Sequence, residues 1–213
     1  MTAAPAGPAF LVALSVAGRD ALVIGGDADA FNRARRLRAC GARVSVVWPS
    51  LEPAFEAWAR AEGVRWEARA PVEADLAARP FVVVSTPRDE ALAAWVAEGA
   101  ARHGLLACCV DQPAHSNYAH AAVADAGAVT VAFSSGGSAP GLLGRLRDAV
   151  AAGMGADFAD FTRYLAALRA TTPREARRAV FDEALAGLRA EFVVRLPEGW
   201  RARWAALPGE TRA

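Results

Sequence analysis

The stretch Ala21-Leu22-Val23-Ile24-Gly25-Gly26-Asp27-Ala28-Asp29-Ala30 decides the fold of this chain. An apolar run ends in two glycines, and a helical pattern rich in arginine follows. This order is typical of the strand, turn and helix of a dinucleotide-binding fold, G-x-G-x-x-(G/A). Asp27 stands where the second glycine of that pattern lets the backbone approach a pyrophosphate closely. The stretch therefore predicts the fold clearly, whereas the bulk and negative charge of Asp27 argue against the usual cofactor contact.

Composition excludes several classes of protein. The chain has 213 residues, enough for one large domain or for a domain with a smaller appendage. Its net charge of +1 gives no general attraction to nucleic acid or to an anionic membrane. No apolar run reaches the roughly 20 residues that span a bilayer, and the first residues lack the charged region of a signal peptide. We therefore expect a cytoplasmic protein with no nucleic-acid or membrane partner.

The three cysteines, Cys40, Cys108 and Cys109, indicate neither a disulfide framework nor a zinc site. Their number is odd, and Cys108 and Cys109 would point to opposite faces of a strand. Free cysteines agree with a reducing cytoplasm. The basic residues carry a second signal, because all 24 are arginine, whose planar guanidinium groups suit carboxylates and phosphates.

Strands and helices alternate along the first half of the chain. Continuous apolar strands between helices are typical of a parallel sheet covered on both faces, and glycine follows the helices as a stop signal. The pattern predicts an α/β, Rossmann-like domain over residues 1–112. The predicted strands are Ala21–Ile24, Arg43–Val47, Val64–Trp66, Phe81–Val84 and Leu105–Val110, and the predicted helices are Ala28–Cys40, Glu52–Ala61 and Asp89–Arg102.

The second half of the chain has a different pattern. Residues 113–150 contain one predicted strand, Ala128–Phe133, then a loop of small residues and a helix from Pro140 to about Ala152. From residue 151 to residue 213 we expect a small helical C-terminal domain, and the first several residues of the chain are predicted to be disordered. Apolar residues at helical spacing predict one buried stripe, formed by Phe158, Phe161, Leu165 and Leu168. A helix start is predicted at Thr172-Pro173-Arg174-Glu175, with Thr172 as the cap.

Four stretches, in this order, resemble one protein family. They are the run from Leu11 to Gly26, G-A-R-V-S-V-V-W-P at residues 41–49, C-V-D-Q-P at residues 109–113, and V-T-V-A-F-S-S-G-G-S-A-P at residues 129–140. L-G-R-L-R at residues 143–147 follows the last stretch, which is the most specific of the four. Over roughly residues 9–170 the chain resembles the precorrin-2 dehydrogenase/sirohydrochlorin ferrochelatase family, which is also the N-terminal module of siroheme synthases.

The resemblance implies an activity and a set of site residues. Members oxidise precorrin-2 to sirohydrochlorin with NAD, and some insert ferrous iron to give siroheme. They are homodimers, which assigns residues 113–150 to dimerisation. The residues implied for NAD are Gly25, Gly26, Asp27, Ala28, Pro49 and Thr86. Those implied for the tetrapyrrole are Ser135, Gly136 and Gly137, and the serine that matches Ser135 is a phosphorylation point in part of the family.

Asp111 is the candidate catalytic residue. It follows a predicted strand, at the end where ligands bind in open parallel sheets. The resemblance implies that this aspartate removes a proton from the macrocycle and handles the metal. A carboxylate suits both tasks, because loss of a hydride from a reduced tetrapyrrole is accompanied by loss of a proton, and iron entry displaces two pyrrole protons. The alternative is that Asp111 only caps the turn before Pro113.

Further polar residues are weaker candidates. Precorrin-2 carries eight carboxylates, and Arg145 and Arg147 are candidates to pair with them, beside the free N–H groups of a helix that starts near Pro140. The alternative for both arginines is a solvated helix face. His115 and His120 follow Asp111 at a spacing of five, unlike the i, i+4 pair of helical metal ligands, which favours ordinary loop or surface histidines.

The glycine loop departs from the family pattern G-G-G-x-V-A at Asp27 and Asp29. Two unit charges 4 Å apart interact by about 4 kcal/mol at an effective dielectric constant near 20. If Asp27 faces the pyrophosphate, this repulsion lowers affinity by about three decades. Arg33 and Arg88 are candidates to offset it. The Thr-Asp that the family commonly has after the fourth strand appears here as Ser85-Thr86-Pro87-Arg88-Asp89.

Three hypotheses follow from the sequence. The first is an NAD-dependent precorrin-2 dehydrogenase, with or without ferrochelatase activity. The second is a relative that has lost NAD binding and acts as a tetrapyrrole-binding chelatase or a non-redox binding protein through Asp111. The third is a non-catalytic dimeric scaffold. Asp111 and the Ser135 segment favour the first two over the third.

Overall fold

The structure is a computed structural model that describes residues 10–206. Residues 1–9, where disorder was predicted, lie outside the described range. The chain divides into two compact units, and the division falls between Ala159 and Asp160. No described helix is both long enough and apolar enough to cross a membrane.

The first unit contains a parallel sheet of five strands, in the order β3-β2-β1-β4-β5. The chain winds outward from β1 through β2 to β3 and then returns to place β4 on the other side of β1. This reversal creates a crevice at the carboxyl ends of β1 and β4, the usual ligand position in such sheets. The predicted α/β, Rossmann-like architecture is confirmed. The strands are β1 (Asp20–Ile24), β2 (Arg43–Val47), β3 (Arg65–Glu67), β4 (Val82–Ser85) and β5 (Leu106–Cys109).

Helices cover both faces of the sheet. Successive residues of each strand point to opposite sides, and these strands are apolar on both sides, so both faces need to be buried. On one face Val23 packs in a cluster with Ala30 and Phe55, which α1 and α2 contribute. On the other face Ile24 packs with Leu76 and Val96, from α3 and α4. The helices are α1 (Ala28–Ala39), α2 (Pro53–Ala61), α3 (Glu73–Ala77) and α4 (Glu90–His103). Only α3 was not predicted, since five residues are too few to show a helical period.

A β-hairpin follows the sheet where a single strand was predicted. β6 (Ala122–Ala126) pairs antiparallel with β7 (Val129–Phe133), and Gly127 turns the chain between them with φ of 60°. The small residues of β6 have low strand propensity, which is why the sequence did not indicate it. α5 (Pro140–Gly153) packs against both strands.

Asp125 joins the hairpin to helix α1 of the Rossmann-like domain. Its carboxylate pairs with Arg36 of α1 and accepts a hydrogen bond from the Thr130 hydroxyl at 2.8 Å. The Arg36 guanidinium lowers the pKa of Asp125. The proposed dimerisation role of residues 113–150 and the domain boundaries at 112 and 150 stay predictions.

The C-terminal unit is helical, as predicted. α6 (Ala156–Thr171) leads into it, and α7 (Arg177–Ala184) and α8 (Trp200–Ala205) follow. The predicted stripe lies along α6 and is half-buried rather than buried. The predicted helix start at Thr172 is wrong: the Thr172 hydroxyl donates to the Leu168 carbonyl at 2.6 Å and so closes α6, and α7 starts five residues later.

Close packing at the glycine loop fixes the end of β1. Gly25 has φ of 139°, which L side chains rarely adopt, and a Cβ there would clash with the Thr86 hydroxyl. A Cβ at Gly26 would clash with the carbonyl oxygen of Ser50, which follows Pro49. The Gly26 carbonyl in turn accepts the Glu52 N–H at 2.8 Å. The loop is therefore held between the ends of β2 and β4.

We predict that Gly26→Ala lowers the free energy of unfolding by about 1–3 kcal/mol, because the added methyl group meets backbone rather than a flexible side chain. Urea titration followed by circular dichroism measures the change. Gly144→Ala is the matched control: nothing lies within 4 Å of the position that its added methyl group would take, and alanine in a helix adds up to about 1 kcal/mol. Equal stability of Gly26→Ala and the native protein would contradict the packing argument.

Candidate active site at the carboxyl edge of the sheet

Asp27 caps helix α1 with its own side chain. Its Oδ1 accepts the Ala30 N–H at 2.8 Å and the Thr86 hydroxyl at 2.9 Å. The carboxylate therefore lies at the positive end of the helix dipole, the position that a phosphate takes in dinucleotide folds. The sequence left open whether Asp27 faces the pyrophosphate, and the structure shows its carboxylate bonded to Ala30 and Thr86.

The hydrogen-bond donors at this helix end suit an anion, since the Ala30 N–H and the Thr86 hydroxyl already bind the Asp27 carboxylate. A dinucleotide pyrophosphate at this helix end would need the same N–H groups, so the Asp27 side chain would have to rotate away from Ala30. Losing an aspartate cap costs about 1 kcal/mol. A carboxylate that stays within about 4 Å of a phosphate adds up to about 4 kcal/mol of repulsion at a dielectric constant near 20. The assignment of Gly25, Gly26, Ala28, Pro49 and Thr86 to NAD stays a prediction, and Asp27 is the residue whose side chain would have to move.

Arg88 is the one guanidinium that the structure joins to the carboxylates of this edge, among the residues it describes. Its Nε and one terminal nitrogen contact Asp111 Oδ2 at 2.8 Å and 2.6 Å. The same terminal nitrogen lies 3.6 Å from Asp29 Oδ2. Hydrogen bonding to Asp111 raises the pKa of Arg88. Asp27 is a third carboxylate whose charge raises the pKa of Arg88, while its own hydrogen bonds go to Ala30 and Thr86.

Asp111 lies at the turn that follows β5. Its φ of 60° is uncommon for a residue with a side chain, although aspartate and asparagine tolerate it better than most. Val110 extends the sheet by donating to the Ser85 carbonyl at 2.8 Å, and Gln112 donates back to Cys109 at 3.1 Å. The side chain of Asp111 is 62% exposed. Its carboxylate is therefore open to a substrate at the ligand-binding edge of the sheet.

The Ser135 segment forms a separate local structure. The Ser135 hydroxyl accepts the Ala139 N–H at 3.0 Å, and Gly136 and Gly137 both have positive φ. Arg147 pairs with its neighbour Asp148, and Arg145 is exposed on α5. Among the described residues, no hydrogen bond or ion pair joins this segment to Asp111. The substrate role of these residues stays a prediction.

The two histidines after Asp111 have different surroundings. His115 bonds Glu90 at the start of α4 at 2.6 Å and lowers the pKa of that carboxyl. His120 is half-buried, its ring meets the edge of the Tyr118 ring, and its Nε2 lies 3.4 Å from the Tyr118 hydroxyl. Burial, followed by the charge of Arg33, lowers the pKa of His120 to about 4. Of the two arginines that were candidates to offset the charge of Asp27, Arg33 lies near His120, whereas Arg88 lies beside the glycine loop.

The buried cysteines are expected to be unreactive. Cys108 and Cys109 lie in β5, and burial raises the pKa of Cys109 to about 11. Burial also raises the pKa of Cys108. Thiols with raised pKa values are mostly protonated and react slowly near neutral pH.

Comparison with known proteins assigns the chain to a family. A family described as putative NAD(P)-binding matches residues 12–122. The chain belongs to this family. The matched span contains the whole five-stranded sheet, the glycine loop and the turn that carries Asp111.

Siroheme synthases are similar to this chain in sequence. The siroheme synthase of Gluconacetobacter diazotrophicus is 34% identical over 165 residues, which are 76% of this chain and 35% of that protein. Siroheme synthase 1 of Aeromonas salmonicida is 37% identical over 127 residues, which are 60% of this chain and 27% of that protein. The chain thus spans about a third of the length of these relatives.

A solved structure of SirC, a precorrin-2 dehydrogenase, has the same fold. The TM-score is 0.69 at 20% identity, and the match covers 84% of this chain and 90% of that one. The resemblance to the precorrin-2 dehydrogenase/sirohydrochlorin ferrochelatase family, predicted from four stretches of sequence, is confirmed by these findings together.

We predict that His120 makes the protein sensitive to acid. The unfolded chain takes up a proton at a pKa near 6.5 and the folded chain at about 4, so stability present above pH 6.5 is lost as the pH falls toward 4. The expected loss between pH 7.5 and pH 5 is about 2 kcal/mol. Urea unfolding at the two pH values measures it. His120→Leu should have a smaller loss than the native protein, and an unchanged loss would contradict this role.

Proposed function

We propose that this protein catalyses the NAD-dependent oxidation of precorrin-2 to sirohydrochlorin in siroheme biosynthesis. The observation that carries the proposal is the exposed Asp111 carboxylate at the carboxyl edge of the sheet, joined through Arg88 to the glycine loop. Ligands of open parallel α/β sheets bind at this edge. The similarity to siroheme synthases and to a precorrin-2 dehydrogenase supplies the substrate class.

Asp111 is proposed as the base of this reaction. Bound NAD supplies the hydride acceptor, and the macrocycle also loses a proton. Both contacts from Arg88 go to Oδ2 of Asp111, and we propose that the Asp111 carboxylate takes this proton. General base catalysis of this kind contributes typically about 10²–10⁴ in rate.

Recognition of the substrate requires cations and hydrogen-bond donors. We assign the carboxylates of the tetrapyrrole to Arg145, Arg147 and the Ser135-Gly136-Gly137 loop, and we assign the protein to a cytoplasmic homodimer. Arg145 is exposed and available for such a contact, whereas Arg147 would have to leave Asp148.

One observation favours a second candidate function. Because Asp27 already caps α1, a member of this family with Asp27 can retain its fold without a dinucleotide and act as a chelatase on sirohydrochlorin. Ferrous iron is then a substrate, and Asp111 accepts the pyrrole protons that leave as iron enters. A non-redox tetrapyrrole-binding protein is the limiting case of this candidate.

We predict that Asp111→Asn lowers kcat for precorrin-2 oxidation by at least about a hundredfold, because an amide cannot accept the proton. Asparagine tolerates positive φ, so the fold should persist. The reaction is followed by the absorbance of sirohydrochlorin and NADH. Asp20→Asn is the control, since Asp20 makes a similar pair with Arg43 at the opposite edge of the sheet. Unchanged turnover in Asp111→Asn would refute the role of Asp111.

We predict that the native protein binds NAD and that Asp27→Gly binds it up to about three decades more tightly, because a charge is removed from the pyrophosphate site. Calorimetric titration measures both. Asp27→Asn separates the causes, since asparagine caps helices as well as aspartate does. Absent binding in the native protein, with recovery in Asp27→Gly, would reject the dehydrogenase and favour the chelatase.

A further inference from the structure

Two groups that suit the phosphates of a dinucleotide are held by the chain's own carboxylates. The N-terminus of α1 is held by Asp27 through the Ala30 N–H, and the Arg88 guanidinium is held by Asp111 and Asp29. In each case an internal anion occupies a partner that a phosphate also favours. The arrangement therefore resembles the bound state with carboxylates in the place of phosphates.

We propose that Arg88 is a positioning residue that exchanges Asp111 for the cofactor phosphate, so that binding of the dinucleotide frees Asp111 to act as base. The proposal rests on the proposed dehydrogenase function. Arg88 takes no part in the chemistry itself. Arg88 makes the activity of the base depend on the presence of the hydride acceptor. When the cofactor phosphate binds Arg88, Asp111 loses its guanidinium partner and can contact the substrate.

The location of Arg88 allows this exchange. It lies between β4 and α4, before Asp89, whose side chain caps α4 by accepting the Leu92 N–H at 2.9 Å. Neither the sheet nor the helix has to move when the Arg88 side chain turns. The Arg88 side chain is 60% exposed and Asp111 is 62% exposed. Exposed pairs are weak, so the pyrophosphate, with one negative charge on each phosphate, can compete for the guanidinium.

One terminal nitrogen of Arg88 lies between two carboxylates, and its position indicates the direction in which the side chain would move. It contacts Asp111 and also lies 3.6 Å from Asp29, in the first turn of α1. Arg88 thus already extends from the β5 turn toward the helix end where the pyrophosphate binds. A small rotation away from Asp111 keeps the guanidinium beside Asp29 and adds a phosphate contact.

Competition for one guanidinium has a measurable signature. If Asp111 and the phosphate compete for Arg88, neutralising Asp111 must tighten the binding of NAD, and this gain must require Arg88. A base without this link would change turnover and leave affinity unaltered. Direct repulsion between Asp111 and the phosphate would tighten binding whether or not Arg88 is present.

The test is a double-mutant cycle on the full-length protein, with NAD affinity measured by calorimetry at low ionic strength. The variants are Asp111→Asn, Arg88→Gln and the double variant. We expect Asp111→Asn to tighten NAD binding about twofold to fivefold, the range of an exposed ion pair. Arg88→Gln should weaken it about tenfold, as loss of a charged contact does. In the Arg88→Gln background, Asp111→Asn should change nothing.

A control pair and a kinetic readout complete the experiment. Asp20→Asn and Arg43→Gln remove a pair of similar geometry and exposure at the opposite edge of the sheet, and they should leave NAD affinity unaltered. In turnover assays, Arg88→Gln should raise KM for NAD and keep kcat at saturating NAD. A merely structural arginine would lower kcat as well.

The outcomes separate this inference from the proposed function. Equal affinity of Asp111→Asn and the native protein, or equal tightening with and without Arg88, overturns the exchange and leaves the dehydrogenase in place. The expected cycle without precorrin-2 turnover supports the exchange and rejects the dehydrogenase. Absence of NAD binding in all variants, including Asp27→Gly, overturns both.

Discussion

The N-terminus of helix α1 needs an anion, and the structure around β1 is arranged to supply one. The first N–H groups of a helix have no partner within it, and the helix dipole adds partial positive charge. Asp27 satisfies this need with a carboxylate that also accepts the Thr86 hydroxyl at the end of β4. One side chain therefore joins the first helix to the strand across the crevice, 59 residues away in sequence. The position of the loop and the access of a phosphate to the helix end depend on this arrangement.

Charge at the edge of the sheet is organised around a single guanidinium in the part of the chain that the structure describes. Asp29 and Asp111 belong to different elements, yet both lie within reach of Arg88. Because these side chains are exposed, the interaction energies are small and the preferences can be reversed by a ligand. The interior below them is different: Val23, Val84 and Ile24 are fully buried and hold the strand ends in place. A rigid sheet thus presents a set of polar groups that remain free to change partners.

Much of the fold could be predicted from the sequence, because it depends on local signals. Continuous apolar runs and glycine stops predicted all five parallel strands and the longer helices to within about two residues, the usual precision of element boundaries. β6 was missed because its alanines have no strand pattern. Its pairing with β7 stabilises it, and this pairing cannot be predicted from the sequence of β6 alone. Thr172 was misread because a threonine that closes one helix looks the same as one that opens the next. In the site, Asp111 and the glycine loop were predicted from motifs, whereas the bonds from Thr86 to Asp27 and from Arg88 to Asp111 join distant segments that no local pattern relates.

The connection between β4 and α4 has a further consequence for how this site can vary. Arg88 and Glu90 flank the cap residue of α4, and they hold the turn after β5 from two points, one through Asp111 and one through His115. A residue inserted or deleted between Ser85 and Asp89 would displace both contacts together and leave the sheet intact. The length of this short segment therefore sets whether Arg88 and Glu90 reach the turn after β5, although its sequence contains no glycine to mark it.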